Sequence, residues 1–389
     1  MSTVGDRLRE VRKRRGLSQR ELATSSGVSL SLVRKLEQGT VDNTRLETVH
    51  KLARVLRVPT SKLMDRSAAE PSDTAAGDGW AAVRQALVGR PDDLDEPPTV
   101  DGVAQVLDSA LPLFRAERFT ELGTVLPRLL RDTETLADLE ESGRTLRVQL
   151  LQLTGWLLTQ TRHLDAAEMA LDMALDASAD RLQGGATANA QCWVLLLRGQ
   201  LAEARELAIR WADDVEPKMS RATADELCVW GMLLLRVSAA AVRDNRAGEA
   251  KDSLRLAHGA AVVLGRERRP REDLLRTFGP TTVALKRTEN AMISDRPDVV
   301  LKLADKIPMV GIPPTPSNHN RHRLDVAKAY AQTRQYAEAV RELTSIWHTS
   351  PEWLPHQRYA REILSIVIEH RRTLTPEMRV LADVLRLPL

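Results

Sequence analysis

The sequence is poor in the residues that build disulfides and metal centres. It contains two cysteines, Cys192 and Cys228, in 389 residues, and their spacing fits no zinc-binding pattern. Two thiols in a chain of this length are typical of a reducing compartment, where cysteine serves as a small apolar residue. We therefore expect no disulfide framework, no metal site and no bound cofactor.

Long apolar runs and aromatic residues are equally scarce. The chain has no run of 18 apolar residues, and its N-terminus is charged from Asp6 onward, so neither a membrane span nor a secretory signal is expected. Aromatic residues make up 3% of the chain, while leucine and alanine dominate. This composition predicts a soluble, cytoplasmic, all-α protein.

Sequence signatures of catalysis are missing as well. The segment GVSLS follows a helical pattern rather than a strand, and no phosphate loop or dinucleotide fingerprint occurs. His319, His322 and His356 have no carboxylate or thiolate in metal-ligand spacing beside them. We therefore predict that the protein is not an enzyme.

Positive charge is concentrated at the start of the chain. Residues 1–66 contain 15 Lys and Arg against 7 Asp and Glu, whereas residues 67–389 contain 41 against 46. A basic face gains affinity for DNA through release of counterions. A small basic domain joined to a larger acidic one is therefore typical of a nucleic-acid binder.

Residues 18–39 show the pattern of two short helices joined by a tight turn. Ser18 and Glu21 have capping-box spacing, and Gly27 can adopt the positive φ of the turn. Ser29 then caps a second helix that Gly39 ends. Amphipathic patterns on both sides predict two further helices, which would close a compact helical domain.

This region resembles the phage-repressor or XRE class of helix-turn-helix domains from about Gly5 to Met64. The segments LSQRELA and VSLSLVRKLEQG carry the resemblance. It implies a lambda-repressor-like fold that binds double-stranded DNA. It also implies a structural ion pair between Arg12 of the first helix and Glu37 of the third.

Site residues follow from the same resemblance. Gln19 is expected to hold a backbone phosphate, and the start of the third helix to meet base edges. The run from Arg12 to Arg15 is interpreted as phosphate-facing in part, with Arg12 engaged in the ion pair. The predicted DNA-binding residues are Gln19, Ser29, Leu30, Ser31, Arg34, Lys35, Arg14 and Arg15.

A flexible linker is predicted at residues 67–78, which contain almost no bulky apolar side chains. Residues 79–389 are predicted to form the second domain, in which the sequence from Val100 onward has the pattern of amphipathic helices in pairs. The unit at 321–351 resembles a tetratricopeptide repeat, with Ala327 and Tyr330 in its first helix, and looser copies precede it. We predict an α-solenoid with an inner groove, the alternative being a generic helical bundle.

Three tryptophans recur every 37 residues in this region, each followed by a leucine-rich run. A polar residue lies one helical turn before each of them. If the indoles line the inner groove, these residues form a ligand-binding site. The alternative is that the indoles are core residues packed between repeats. The predicted ligand-binding residues are Gln152, Trp156, Asn189, Trp193, Glu226 and Trp230.

The combination of the two parts resembles actinobacterial regulators of this architecture and, more distantly, peptide receptors of the RRNPP class. It implies a homodimeric transcription regulator, acting on a palindromic operator, whose body senses a small molecule or peptide. The alternative is an adaptor whose body recruits a partner protein to DNA.

Overall fold

The computed structural model describes residues 3–41, 44–64, 80–89, 98–271, 273–307, 313–371 and 373–387. Within these residues the regular elements are α-helices, three short 3-10 turns and one isolated bridge between Arg268 and Phe278. The all-α prediction is therefore confirmed, and none of the described helices is long and apolar enough to span a bilayer. Both cysteines are buried, and neither forms a disulfide. The linker predicted at 67–78 lies outside the described residues.

In the described residues of 3–64, four helices and a 3-10 turn form the part that we call the head. The helices are α1 (Val4–Arg14), α2 (Gln19–Ser26), α3 (Leu30–Glu37) and α4 (Leu46–Leu56), and the turn is Thr60–Lys62.

The predicted local signals set the ends of the head helices. Ser18 and Glu21 form a reciprocal capping box, and Ser29 caps α3 through the backbone N–H of Leu32. Gly27 ends α2 with a φ of 67°, a conformation that side chains with a Cβ rarely adopt. The turn between α2 and α3 is therefore the one that the sequence predicted.

The head closes around an apolar core and one buried ion pair. Leu8, Leu22 and Val33 are almost fully buried in that core. Arg12 donates hydrogen bonds from Nε and Nη2 to the two oxygens of Glu37, over 2.6 and 2.7 Å. The structural pair implied by the resemblance is present, and it ties the end of α1 to the end of α3.

Both ion-pair partners are ionised because each supports the other. The hydrogen bond to Glu37 raises the pKa of Arg12 against the effect of burial. Burial opposes ionisation of Glu37, but hydrogen bonds from Arg12 and Gln19 together outweigh it and lower the pKa of this carboxyl.

Among the described residues of 80–387, fifteen further helices form the part that we call the body. The first eight are α5 (Ala81–Val88), α6 (Val100–Arg115), α7 (Phe119–Leu139), α8 (Glu141–Gln160), α9 (Leu164–Asp176), α10 (Arg181–Leu197), α11 (Leu201–Asp214) and α12 (Ala224–Arg243). The remaining seven are α13 (Ala247–Leu264), α14 (Pro280–Ile293), α15 (Pro297–Ala304), α16 (Pro316–Gln332), α17 (Tyr336–Thr349), α18 (Arg358–Glu369) and α19 (Pro376–Val384).

The body helices stack as hairpins in two rows. From α6 onward each helix packs against the next, and every even-numbered helix also contacts the next even-numbered one as far as α18. The even-numbered helices therefore form an inner row, and the odd-numbered helices cover it. This is the α-solenoid expected from the paired pattern, in which each hairpin buries its apolar face against its neighbours.

The solenoid closes on itself instead of leaving an open groove. Asn320 at the start of α16 donates to Glu117 between α6 and α7, at 3.1 Å. The buried indole of Trp353 donates from Nε1 to Gln160 Oε1 at the end of α8, at 3.0 Å. One apolar core runs through the first hairpins and the last helices alike. The inner row therefore surrounds a cavity.

Replacing Glu37 with alanine should destabilise the head strongly. The change leaves the Arg12 guanidinium buried without its partner, a loss of about 3 to 5 kcal/mol. Glu10→Ala is the matched control, because Glu10 pairs with Arg14 on the surface and should cost less than about 1 kcal/mol. Hydrogen exchange of the α1 and α3 amides in the full chain measures both. Equal effects of the two substitutions would contradict a buried pair.

Candidate nucleic-acid interface and inner cavity

The predicted recognition face lies on the outside of the head. Ser29, Ser31, Arg34 and Lys35 are exposed and Leu30 is half-buried, while Val33 and Leu36 turn inward. Residues 31, 34 and 35 fall on one side of α3 because they are three and four positions apart. The face has the size and donors that a major groove accepts.

The residues expected to contact phosphates already have partners within the head. Gln19 Nε2 donates to Glu37 at 2.8 Å, so the buried ion pair orients this side chain. Arg14 pairs with exposed Glu10, and Arg15 donates to the exposed carbonyl of Arg57 at 3.3 Å. Exposed bonds of this kind contribute little. A phosphate can therefore replace the partners of Arg14 and Arg15 at small cost.

The head docks on the body through the turn that ends α12. Thr60 Oγ1 and His50 Nδ1 both donate to the carbonyl of Arg243, each at 2.8 Å. The backbone N–H of Ser61 donates to Asp244 Oδ1 at 2.8 Å, and Asn245 Nδ2 donates to Thr60 Oγ1 at 3.1 Å. The last carbonyls of a helix have no partner within it. The head supplies donors at this helix end.

The surroundings of His50 at this interface favour its neutral form. Burial is the main cause that lowers the pKa of His50, since it removes water from the charged ring, and the nearby Arg54 and Arg243 lower it further. Because a carbonyl accepts its bond, Nδ1 carries the proton.

A second set of contacts surrounds a cavity between head and body. Arg54 pairs with Asp295 after α14 at 3.1 Å, and the side chain of Lys328 in α16 lies 3.9 Å from Glu47. The cavity measures about 190 Å³ and is lined by α4 on one side and by residues of α12, α14, α16 and α18 on the other. The body side of the head is thus α4, and the recognition face of α3 remains exposed.

The tryptophan ladder does not form one ligand-binding surface. Trp156 packs edge-on against Phe114 with ring centres 4.4 Å apart, and Trp230 is buried in a separate core. Both are core residues because neighbouring helices cover their rings, so the structure contradicts an open groove at Trp230, while Trp156 also lies at one edge of the inner cavity.

The polar residues before the tryptophans also differ in role. Gln152 is buried and donates to Thr187 Oγ1 at 2.9 Å. Glu226 belongs to the capping box of α12 and pairs with Arg181. Asn189 accepts a hydrogen bond from Arg236 Nε at its Oδ1, at 2.9 Å. Of the three, Asn189 is the one joined to the cluster around Trp193.

Trp193 is surrounded by positive charge in the interior of the solenoid. The guanidinium of Arg321 lies 4.5 Å from its ring centre, that of Arg236 5.0 Å, and the ammonium of Lys286 5.7 Å. Cation–π attraction holds these groups on the indole. The cavity they share is lined by Trp156, Gln160, Trp193, Arg236, Arg276, Lys286, Thr315, Ser317, Asn318 and Arg321.

Charge balance differs among these cations. Lys286 donates to Glu289 at 2.5 Å, and Glu289 also accepts from Arg243 at 2.7 Å. Among the described residues, no carboxylate lies within 4.0 Å of the guanidinium of Arg236 or Arg321. Burial lowers the pKa of Arg321 to about 9 and that of Arg236 to about 10.

Sequence reasoning missed this cluster, although one signal was available. Arg236 is the lone charged residue between positions 227 and 242, inside an otherwise apolar stretch. A lone charge at that place indicates an inward-facing group with a specific partner. Lys286 and Arg321 lie in polar stretches that carry no such signal.

Comparison with known proteins assigns the head. Residues 8–63 match the family described as Helix-turn-helix, and they coincide with the domain built by α1 to α4. The N-terminal part of this chain is therefore a helix-turn-helix domain of the XRE type.

Two Bacillus subtilis proteins are similar to this segment. One is the Uncharacterized HTH-type transcriptional regulator RghRB, 42% identical over 64 residues, which are 16% of this chain and 46% of that protein. The other is the HTH-type transcriptional repressor RghR, 38% identical over 64 residues, which are 16% of this chain and 47% of that protein. The chain thus spans about half the length of these relatives. No solved structure matches the chain.

Thr60→Val should loosen the head from the body. It removes the hydroxyl that donates to Arg243 and accepts from Asn245, so two hydrogen bonds across the interface are lost at a cost of about 1 to 3 kcal/mol. Thr48→Val is the matched control, since the Thr48 hydroxyl on α4 is half-buried and bonds to no other described residue. Distances between dyes on head and body, measured by energy transfer, should broaden for the first variant only. If the distances in Thr60→Val are unchanged, other contacts than the hydrogen bonds of Thr60 hold the head on the body.

Proposed function

We propose that the protein is a DNA-binding transcription regulator whose body forms a homodimer and senses a small molecule. The observation that carries the proposal is the exposed α3 of a basic helix-turn-helix head, with Arg34 and Lys35 directed outward. The printed names of both similar Bacillus proteins describe HTH-type transcriptional regulators.

The docked head supports regulation through the body. Because α4 and the turn at Thr60 lie on the ends of inner helices, a change in the spacing of those helices moves the recognition face. The hydrogen bonds at Arg243 and Asp244 are short and directional, so a shift of α12 is transmitted to the head instead of being absorbed.

The closed body favours a small ligand over a long peptide or a recruited protein. Tetratricopeptide-like and RRNPP-like bodies, which this one resembles, suggest an extended groove. Here the contact of Trp353 with Gln160 closes the inner row, so an extended segment has no open channel. The adaptor alternative would need a partner surface outside the cavity.

An apolar stripe on α13 supports the dimer. Leu256 and Val263 are seven positions apart on one face and are 48% and 58% exposed, and Val262 beside them is 62% exposed. Exposed apolar patches on an outer helix mark association surfaces. A two-fold dimer would place two recognition helices about 34 Å apart, or a multiple of that distance, and would select an inverted repeat.

Changing Arg34 and Lys35 together to alanine should weaken specific DNA binding. Each lost base contact removes about 1 to 3 kcal/mol, while the fold stays intact because both side chains are exposed. Genome-wide mapping of bound sites supplies the operator, and binding is then measured on it at fixed salt.

Lys62→Ala serves as the control, because Lys62 is an exposed cation on the docking side of the head. It should leave operator affinity nearly unchanged. Operator affinity that survives the double substitution, with a native circular dichroism spectrum, would refute the placement of the recognition face.

Val263→Glu should separate the dimer, since it places a charge in the apolar stripe of α13. Sedimentation at micromolar concentration should change from dimer to monomer, and binding to the full inverted repeat should fall to that of a half-site. Val106→Glu is the control, since Val106 is 43% exposed on α6. If the wild-type protein sediments as a monomer, the dimer is ruled out. If Val263→Glu still sediments as a dimer, the apolar stripe of α13 is not the dimer interface.

A further inference from the structure

We propose that the inner cavity of the body binds the carboxylate group of the effector, between Arg236, Arg321 and the start of α16. This rests on the proposed sensing function and names the chemistry that the site recognises.

Within the part of the chain that the structure describes, the charged residues that line the cavity are all positive, namely Arg236, Arg276, Lys286 and Arg321. Arg276 pairs with Asp273 at 2.8 Å, and Lys286 shares Glu289 with Arg243. The half-buried Arg236 and Arg321 have no described carboxylate within 4.0 Å, and charges removed from water are normally paired. The cavity thus presents net positive charge to an occupant.

The N-terminus of α16 adds donors to the same space. Thr315, Ser317 and Asn318 line the cavity, and Thr315, the N-cap of this 17-residue helix, makes no side-chain capping bond. The first N–H groups of a helix have no partner within it and favour an anion. Arg321 lies one turn further along α16, so its guanidinium and these groups belong to one face.

A buried donor without a partner lies next to Arg236. Asn189 Oδ1 accepts from Arg236, while Asn189 Nδ2 is buried and donates to no described residue. Asn189 is not among the described residues that line the cavity. Its bond from Arg236 fixes the position of that guanidinium beside the cavity.

The geometry of arginine favours a carboxylate. The cavity has a volume of about 20 Å³, room for little more than one water, so an effector enters it only with a small charged end group. The two oxygens of a carboxylate match the fork of an arginine.

The carboxylate belongs either to a small acid or to the C-terminus of a peptide. The test titrates the full-length protein with sodium acetate, sodium N-acetylglycinate, its neutral analogue N-acetylglycinamide, and sodium phosphate. Ionic strength is kept constant with sodium chloride, and no DNA is present. Thermal midpoint and tryptophan fluorescence report binding, because Trp193 lies against Arg236 and Arg321.

We expect acetate and N-acetylglycinate to bind saturably and the neutral analogue not to bind. Equal affinities for acetate and N-acetylglycinate indicate that the effector is a small acid. A clear preference for N-acetylglycinate indicates a peptide C-terminus. Arg321→Gln should weaken binding at least about tenfold, the loss of one charge-assisted hydrogen bond. Arg321→Lys, which keeps the charge but not the fork, should lose less. Arg287→Gln is the matched control, since Arg287 is exposed on α14 next to Lys286.

Stability separates a binding role from a structural one. In chloride alone, Arg321→Gln should melt no lower than the wild type, because it removes a half-buried charge that no described carboxylate pairs directly. The proposal would be overturned if Arg321→Gln had a lower thermal midpoint than the wild type in chloride. It would also be overturned if the carboxylates changed midpoint and fluorescence no more than chloride does, or if phosphate bound and the carboxylates did not. Because these measurements contain no DNA, their failure is distinct from loss of operator binding in the Arg34 and Lys35 variant.

Discussion

The position of the recognition helix depends on the three-residue turn that ends α12. The carbonyl of Arg243 accepts hydrogen bonds from His50 and Thr60 of the head. The carboxylate of Asp244 accepts from the backbone N–H of Ser61, and the amide of Asn245 donates to Thr60. Because α12 lies in the middle of the inner row, this turn links the head to the most constrained part of the solenoid. The side chain of Arg243 reaches inward to Glu289, so one residue contacts both the head and the interior ionic cluster.

Charge inside the body is arranged in a chain that runs from the cavity to the docking surface. Lys286 faces the cavity, Glu289 lies between, and Arg243 meets the head. The pKa of a buried carboxylate in this environment depends on its neighbours. Burial opposes ionisation of Glu289, but the charges of Lys286 and Arg243 hold its pKa well below the usual range. Burial raises the pKa of Asp325 to about 7. The interior is therefore an electrostatic network whose members stabilise one another, and a new charge within it changes the balance for several groups at once.

The head was predictable because its signals are local. Capping boxes, Gly27 and apolar spacing act within a few residues, and they specify helix ends without knowledge of the rest of the chain. The three tryptophans that recur every 37 residues lie on helices of the inner row. A sequence period does not determine whether a ring faces the cavity or the core, and the ring of Trp230 lies in the core. The docking contacts join residues 183 positions apart, and the cavity collects side chains from five helices. Pairings at such separation leave no repeated pattern in the sequence.

The closure of the solenoid changes how the body must fold. In an open repeat array each unit touches only its neighbours, so folding can start anywhere and end units can be removed. Here Trp353 depends on Gln160, 193 residues earlier, and Asn320 on Glu117, 203 residues earlier. These contacts form only after the intervening hairpins have curved enough to bring the ends together, which raises contact order and slows folding. The first and last hairpins cover each other's apolar faces, so the body behaves as one cooperative unit rather than as a sum of independent repeats.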